Sequence, residues 1–225
     1  MADTPFQKFP SLCTLENALE KQCQQHLALA LEILQSADGR IYETDLFIQA
    51  LLHRSLSIHK GIILLVKDWN LACAGALIRL QLDNLMRAFV VLRAPCGHLL
   101  VRAIFIEGKP LYHVKDQDGK RLTDHRLRTL CSRHYPWLDR TYQETSKFIH
   151  FSQKHVLQTV EKINRPEESV SMCISGTNEN CREEHIEEML ACLKVTTVEI
   201  FKMCKSWMEK KQRLASDQEA HSAPD

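Results

Sequence analysis

Arg79, Asp83 and Arg87 recur at four-residue steps within Ile78–Arg87. On a helix that spacing sets one carboxylate between two guanidiniums along a single stripe. The stripe runs into Ala72 and Ala76 at one end and Val90 at the other. Bounded by small and apolar residues, it is expected to pack against a second helix. There charges must be paired, and a spare guanidinium can hold an anion. The plainer alternative is a solvated ladder, each pair contributing roughly 0.2–0.5 kcal/mol.

A second set, Tyr142, Ser146 and His150, has the same spacing and would put a phenol, a hydroxyl and an imidazole on one helix face. A histidine titrates near neutral pH and can act as acid or base. Flanked by Ile149 and Phe151, it can equally be a packed, hydrogen-bonded helix end. A third set is Arg128 with His134, just before Pro136. With Arg126 and Arg133 it reads most simply as a solvated basic helix end. No Gly-rich phosphate loop, HExxH, GxSxG or paired-carboxylate motif accompanies these residues, which argues against the hydrolases those motifs mark. Cys181 and His185 are one helical turn apart but have no second pair, so neither a metal site nor a cofactor is expected.

The elements that must position these residues are helical. One helix is expected from Ser11 or Thr14 to Gly39, and a second over 44–66, where Phe47, Leu51, Ile58, Ile62 and Leu65 form an apolar line on which Arg54 also falls. Asp68 is expected to cap a third, Trp69 to Arg93, closed by Pro95 and Gly97. The short connection makes the second and third antiparallel neighbours. Leu99–Ile106 fits helix or strand. A turn-rich stretch follows to Asp124, then a helix from Thr123 or Asp124 and another after Pro136. Val156–Ile163 and Val170–Ser175 read as strands of a small hairpin, with Val170, Met172 and Ile174 alternating with Ser171, Cys173 and Ser175. A last helix spans Cys181–Leu214. Residues 215–225 are expected to be a disordered tail. The chain therefore reads as one mainly α domain over 1–214, a helical bundle with a hairpin at about 156–175.

Composition agrees with a globular domain: of 225 residues, 44% are hydrophobic and 25% charged. Nine cysteines without a CxxC clip suit reduced thiols in a cytoplasm. Met1–Pro10 lacks a signal-peptide pattern, and the longest apolar run, Leu71–Ile78, is too short for a bilayer. No membrane association is expected. Residues 102–155 hold eleven Lys/Arg against six Asp/Glu and five of the eleven histidines. That mild basic patch permits phosphate or RNA contact without demanding it.

Leu52-His53-Arg54-Ser55, Trp69–Arg87 and Tyr142–Ser152 carry, in order, an Arg-Ser pair, an Arg-x3-Asp and a Ser-x2-Ile-His. Lys115-Asp116 and Asp118–Asp124 fall in the loop between them. Over about residues 40–180 this order resembles an uncharacterised bacterial family of helical proteins related to the HEPN superfamily of defence and toxin–antitoxin systems. The resemblance implies a HEPN-like bundle. Some members are metal-independent ribonucleases using Arg-x4–6-His, and others bind nucleotides, RNA or protein partners. Arg128 and His134 fit that spacing, with Thr129 standing where a polar Asn, Asp or His usually follows the arginine. The favoured expectation is a binding module: Arg54, Arg79, Asp83, Arg87 and Tyr142 receive an anionic nucleotide or RNA group, and Ser146 and His150 close the site. Metal-independent RNA cleavage, by His150 and Ser146 or by Arg128 and His134, is the alternative. A purely structural bundle is a third reading, and a protein partner or homo-oligomer remains open.

Overall fold

Leu19, Gln22, His26, Leu29 and Ile33 are the buried residues of α2, Cys13–Gln35. Their three- and four-residue spacing lines one face of that helix. A short α1, Pro5–Lys8, precedes it, capped by Thr4 and Gln7 bonding each other's backbone. Helical structure thus starts before Ser11 and Thr14, the expected caps. In the computed structural model, residues 3–94, 97–150 and 152–222 are described. Pro95, expected to close the third helix, lies outside them, as do Cys96, Phe151 and residues 223–225.

The second helix, α3, spans Glu43–Lys67, and the third, α4, spans Leu71–Arg93. Asp68 does not cap α4. The chain turns at Trp69, whose backbone is left-handed (φ 58°), so the helix starts two residues late and Asn70 caps it, accepting from the Cys73 N–H at 3.2 Å. Trp69 is held in this turn by its indole N–H, which donates to the Asp3 carbonyl at 2.7 Å. α3 and α4 pack side by side, with Leu51 and Ile58 buried and Leu65 half-buried.

Leu99–Ile106 is helical, as α5 (Gly97–Val101) and a π-turn over Arg102–Ile106. After the turn-rich stretch come α6 (Asp124–Ser132), capped by Thr123, and α7 (Leu138–Ile149). The hairpin is shorter than expected. Val156–Thr159 belong to α8, Gln153–Thr159, and the antiparallel strands are β1, Val160–Asn164, and β2, Ser169–Met172. Ser152 donates its N–H to His155 Nδ1 at 3.1 Å, which starts a helical turn where extended chain was expected. The last helix, α9, runs Glu183–Ser222. Residues 215–222, expected to be disordered, continue it: Ala215 is buried and its carbonyl accepts from Arg40 Nη1 at 3.0 Å.

α2, α3, α4 and α9 make the bundle, with α6 and α7 packed on α4. A polar layer cuts its core in two. One half centres on Leu29, Leu51, Leu52, Leu85 and Ile200, the other on Leu19, Ile58, Ile62, Ile78 and Leu193. Between them every bundle helix buries polar groups: His26, Ser55, His59, Gln81, Asn84 and Thr197. His26 Nδ1 donates to the Gln22 carbonyl (2.7 Å), so its Nε2 accepts from the Ser55 hydroxyl (2.9 Å). His59 Nε2 donates to the Leu19 carbonyl (3.0 Å), so its Nδ1 accepts from Thr197 (3.4 Å). Gln81 Nε2 donates to both hydroxyls, at 2.7 and 3.2 Å. Each hydroxyl therefore gives one hydrogen bond and takes one, with both rings neutral. Nearer the C-terminal end of α9, Lys211 is fully buried, 3.1 Å from an equally buried Asp45. Asp45 also accepts from the Trp207 indole at 2.7 Å.

Candidate functional site

α4 presents Arg79, Asp83 and Arg87 toward the region where α3, α6 and α7 meet it. Asp83 is buried, its side chain 11% exposed, and it takes two arginines. Arg87 pairs with it from one turn later on the same helix. Arg54 reaches it from α3, Nη1 to Oδ2 3.4 Å, and also donates to Asn84 Oδ1. Arg54 is not on the buried face of α3 as expected. It sits at the rim, 43% exposed, so its head meets both Asp83 and solvent.

The first residue of α6 supplies a second carboxylate. Asp124 lies 3.8 Å from Arg79 Nη2 and 4.0 Å from Arg87 Nη2, and a negative charge in the first turn of a helix is favoured by its dipole. α7 contributes Tyr142. The Arg79 guanidinium lies over its ring, 3.6 Å from the centroid, and also contacts its hydroxyl. Arg128 approaches the same ring at 5.1 Å, pairs with Asp139 at 2.9 Å, and has Nη2 3.4 Å from His125 Nδ1.

Around Asp83 and Asp124, then, Arg54, Arg79 and Arg87 set three guanidiniums against two carboxylates. Burial pushes the Arg54 and Arg87 pKa values below their usual range. At Arg87 Asp124 opposes that shift, while Arg54 and Arg79 add to it. Desolvation is the main cause at both, and at Arg87 the neighbouring arginines add a smaller repulsion. Such a cluster can take an oxyanion at its exposed edge, where Arg54 and Arg87 face solvent.

Other expected members stand elsewhere. His150 is exposed at the end of α7, its backbone N–H bonded to the Ser146 carbonyl at 3.3 Å. It makes no hydrogen bond or ion pair with Arg54, Arg79 or Asp83. The Ser146 hydroxyl donates to the Tyr142 carbonyl at 2.7 Å, within its own helix. The expectation that His150 joins Arg54, Arg79 and Asp83 is corrected: α7 ends at Ile149, and His150 follows it as an exposed residue in extended backbone (φ −104°, ψ 141°). Arg128 and His134 do not meet either. Arg128 faces Asp139 and Tyr142, whereas His134 packs on Phe89, ring centroids 5.0 Å apart. Arg126, read as solvated, is buried and clamped between Asp116, at 2.6 Å, and Asp118. That clamp fixes the 115–121 turn against α6.

Four contributors went unseen in sequence: Asn84, Asp124, His125 and Asp139. Asn84 follows Asp83 directly, and His125 lies one turn before Arg128 on α6, so both have local signals. Asp124 and Asp139 join through packing of α6 and α7, which no local spacing reports. Asn84 also donates to Gln81 Oε1 at 3.0 Å, so the polar layer of the core ends on Arg54. Cys181 Sγ lies 3.8 Å from His185 Nδ1. Among the described residues no group of three or more His, Cys, Asp or Glu is placed to hold a metal ion, and no helix is long and apolar enough to cross a membrane. Comparison with protein-family models, curated proteins and solved structures finds no match.

Proposed function

We propose that this chain is a HEPN-like helical binding module that receives a phosphate-bearing group, of a nucleotide or of RNA, on its arginine cluster. The observation that carries the reading is the surplus of guanidinium over carboxylate at Arg54, Arg79 and Arg87 around Asp83 and Asp124. A purely structural role accounts for the ion pairs; the binding reading adds a use for the surplus, because a phosphate arriving at the exposed edge would neutralise it. Arginine suits this use because its planar fork meets phosphate oxygens with two parallel hydrogen bonds. Thermal-shift measurements with pyrophosphate, nucleoside triphosphates and a short oligoribonucleotide test the reading. A rise in Tm with the phosphate-bearing probes, lost at high salt, is expected; no rise with any of them contradicts it.

A second reading, metal-independent RNA cleavage, is favoured by one contact. His125 stands beside Arg128 at the edge of the cluster, so the acid–base group would be His125 rather than His150 or His134. In that chemistry the imidazole takes the 2′-hydroxyl proton as O2′ bonds to phosphorus, and an arginine steadies the charged phosphorus centre. The P–O5′ bond breaks with the 5′-oxygen taking a proton from water, leaving a 2′,3′-cyclic phosphate. RNA cut in EDTA by the native chain and left intact by His125→Ala supports it. Uncut RNA in both removes it and leaves binding.

A further inference from the structure

The hairpin leaves apolar side chains in water. Ile163, Val170 and Met172 are more than half exposed, and Ile174, just past β2, is 96% exposed. Beyond its pairing with β2, β1 leans on α8. A two-stranded ribbon so placed is marginal by itself and gains stability from a further strand.

The two edges of the ribbon differ. β1 carries Glu161 and Lys162, and its register breaks between Val160 and Lys162. Charge and irregularity are the usual guards of an open edge. β2 has neither. From Ser169 to Ser175 the chain reads Ser-Val-Ser-Met-Cys-Ile-Ser, with no charged residue. The run is also alike in both directions about Met172: Ser169 matches Ser175, Val170 matches Ile174, and Ser171 matches Cys173. The Cys173 N–H bonds to the Thr159 carbonyl at 2.8 Å, so the chain keeps its line past β2.

We propose that β2 is a self-pairing edge: it joins β2 of a second copy of this chain, antiparallel, about a two-fold axis through Met172. Such an axis makes the contact isologous and closed. In that register Val170 lies opposite Ile174 of the second copy and Met172 opposite its own counterpart, so one face of a four-stranded sheet is continuously apolar. Glu168 and Glu167 fall opposite Gly176 and Thr177 of the second copy, and no like charges oppose. A strongly charged partner finds no counter-charge on this edge, whereas a second copy meets a neutral surface of matching shape.

The test is sedimentation velocity over a wide concentration range, on the full chain and on two variants at the axis. The native chain is expected to move from one to two chain masses as concentration rises. Met172→Lys and Met172→Glu each set like charges face to face and are expected to stay monomeric. Met172 is exposed in the single chain, so both should keep the native helical circular dichroism. Mixing the two variants is expected to restore the dimer, through lysine opposite glutamate. A native chain monomeric throughout overturns the proposal. So does a Met172→Lys variant that dimerises like the native chain, or a mixture that stays monomeric.

Discussion

Lowering the pH from about 7.5 to about 5 should weaken this fold through two imidazoles in the middle of its core. Burial pushes both His26 and His59 from 6.5 down to about 4, and at His59 the neighbouring His26 adds to the effect. The hydrogen bonds agree, since each ring accepts from a hydroxyl, and a protonated ring would turn a second N–H on Ser55 or Thr197. The folded pKa lies below the unfolded one, so the stability is fully present above about 6.5 and is lost as pH falls toward 4. At about pH 5 the unfolded chain holds nearly a full proton on each ring and the folded chain almost none. That difference removes about 2 kcal/mol per ring, about 4 for the pair. Against a typical domain stability of roughly 5–15 kcal/mol this is a large share. Urea midpoints followed by circular dichroism at a series of pH values measure it directly. A His26→Gln, His59→Gln variant should show a flatter dependence over the same window. A native chain whose midpoint holds steady from pH 6.5 to 5, or a double variant with the native slope, would refute the assignment of neutral, desolvated rings.

Asp83→Ala strands Arg54 and Arg87 without their shared carboxylate. Because both arginines are partly in water, the loss expected in urea unfolding is about 1–2 kcal/mol rather than the larger value of a sealed pair. Lys211→Ala breaks a sealed ion pair, leaving the buried Asp45 carboxylate with only the Trp207 indole and the Tyr42 N–H as donors, and should cost about 3–5 kcal/mol; a neutral result would mean that water reaches Asp45. Gly75→Ala adds a Cβ only 2.6 Å from the Phe148 ring. The clash should outweigh the helix-propensity gain of about 1 kcal/mol and loosen α7, lowering Tm. Truncation after Leu214 should also lower Tm, since it removes the buried Ala215 and the carbonyl that receives Arg40.

Legibility followed the range of the interaction. α3 and the end of α4 match their expected positions because apolar spacing and a three-residue connection are local features. The start of α4 slipped because the left-handed turn at Trp69 depends on Asp3, far away in sequence. The end of α9 was missed for the same reason: polar composition reads as a tail, yet Arg40 and the core hold Ala215. In the site, the Arg79, Asp83 and Arg87 ladder and its meeting with Arg54 were readable from a charged stripe between alanines and valine. His150 was placed on the stripe of Tyr142 by helical spacing, but α7 stops at Ile149. Asp124 meets Arg87 only because α6 docks on α4. The polar layer was spread one or two residues to a helix, each too few to stand out from an apolar face.

The measurement closest to the central claim is a fluorescence-anisotropy titration of a labelled oligoribonucleotide, and in parallel of a labelled nucleoside triphosphate. It compares the native chain with the double variant Arg54→Gln, Arg87→Gln, the two arginines of the cluster most open to solvent. Circular dichroism confirms that the variant is folded. If the cluster receives phosphate, the native chain binds at least one probe, and the double variant binds it about tenfold or more weakly with a shallower salt dependence. Equal affinity and equal salt dependence in the two proteins would contradict the account.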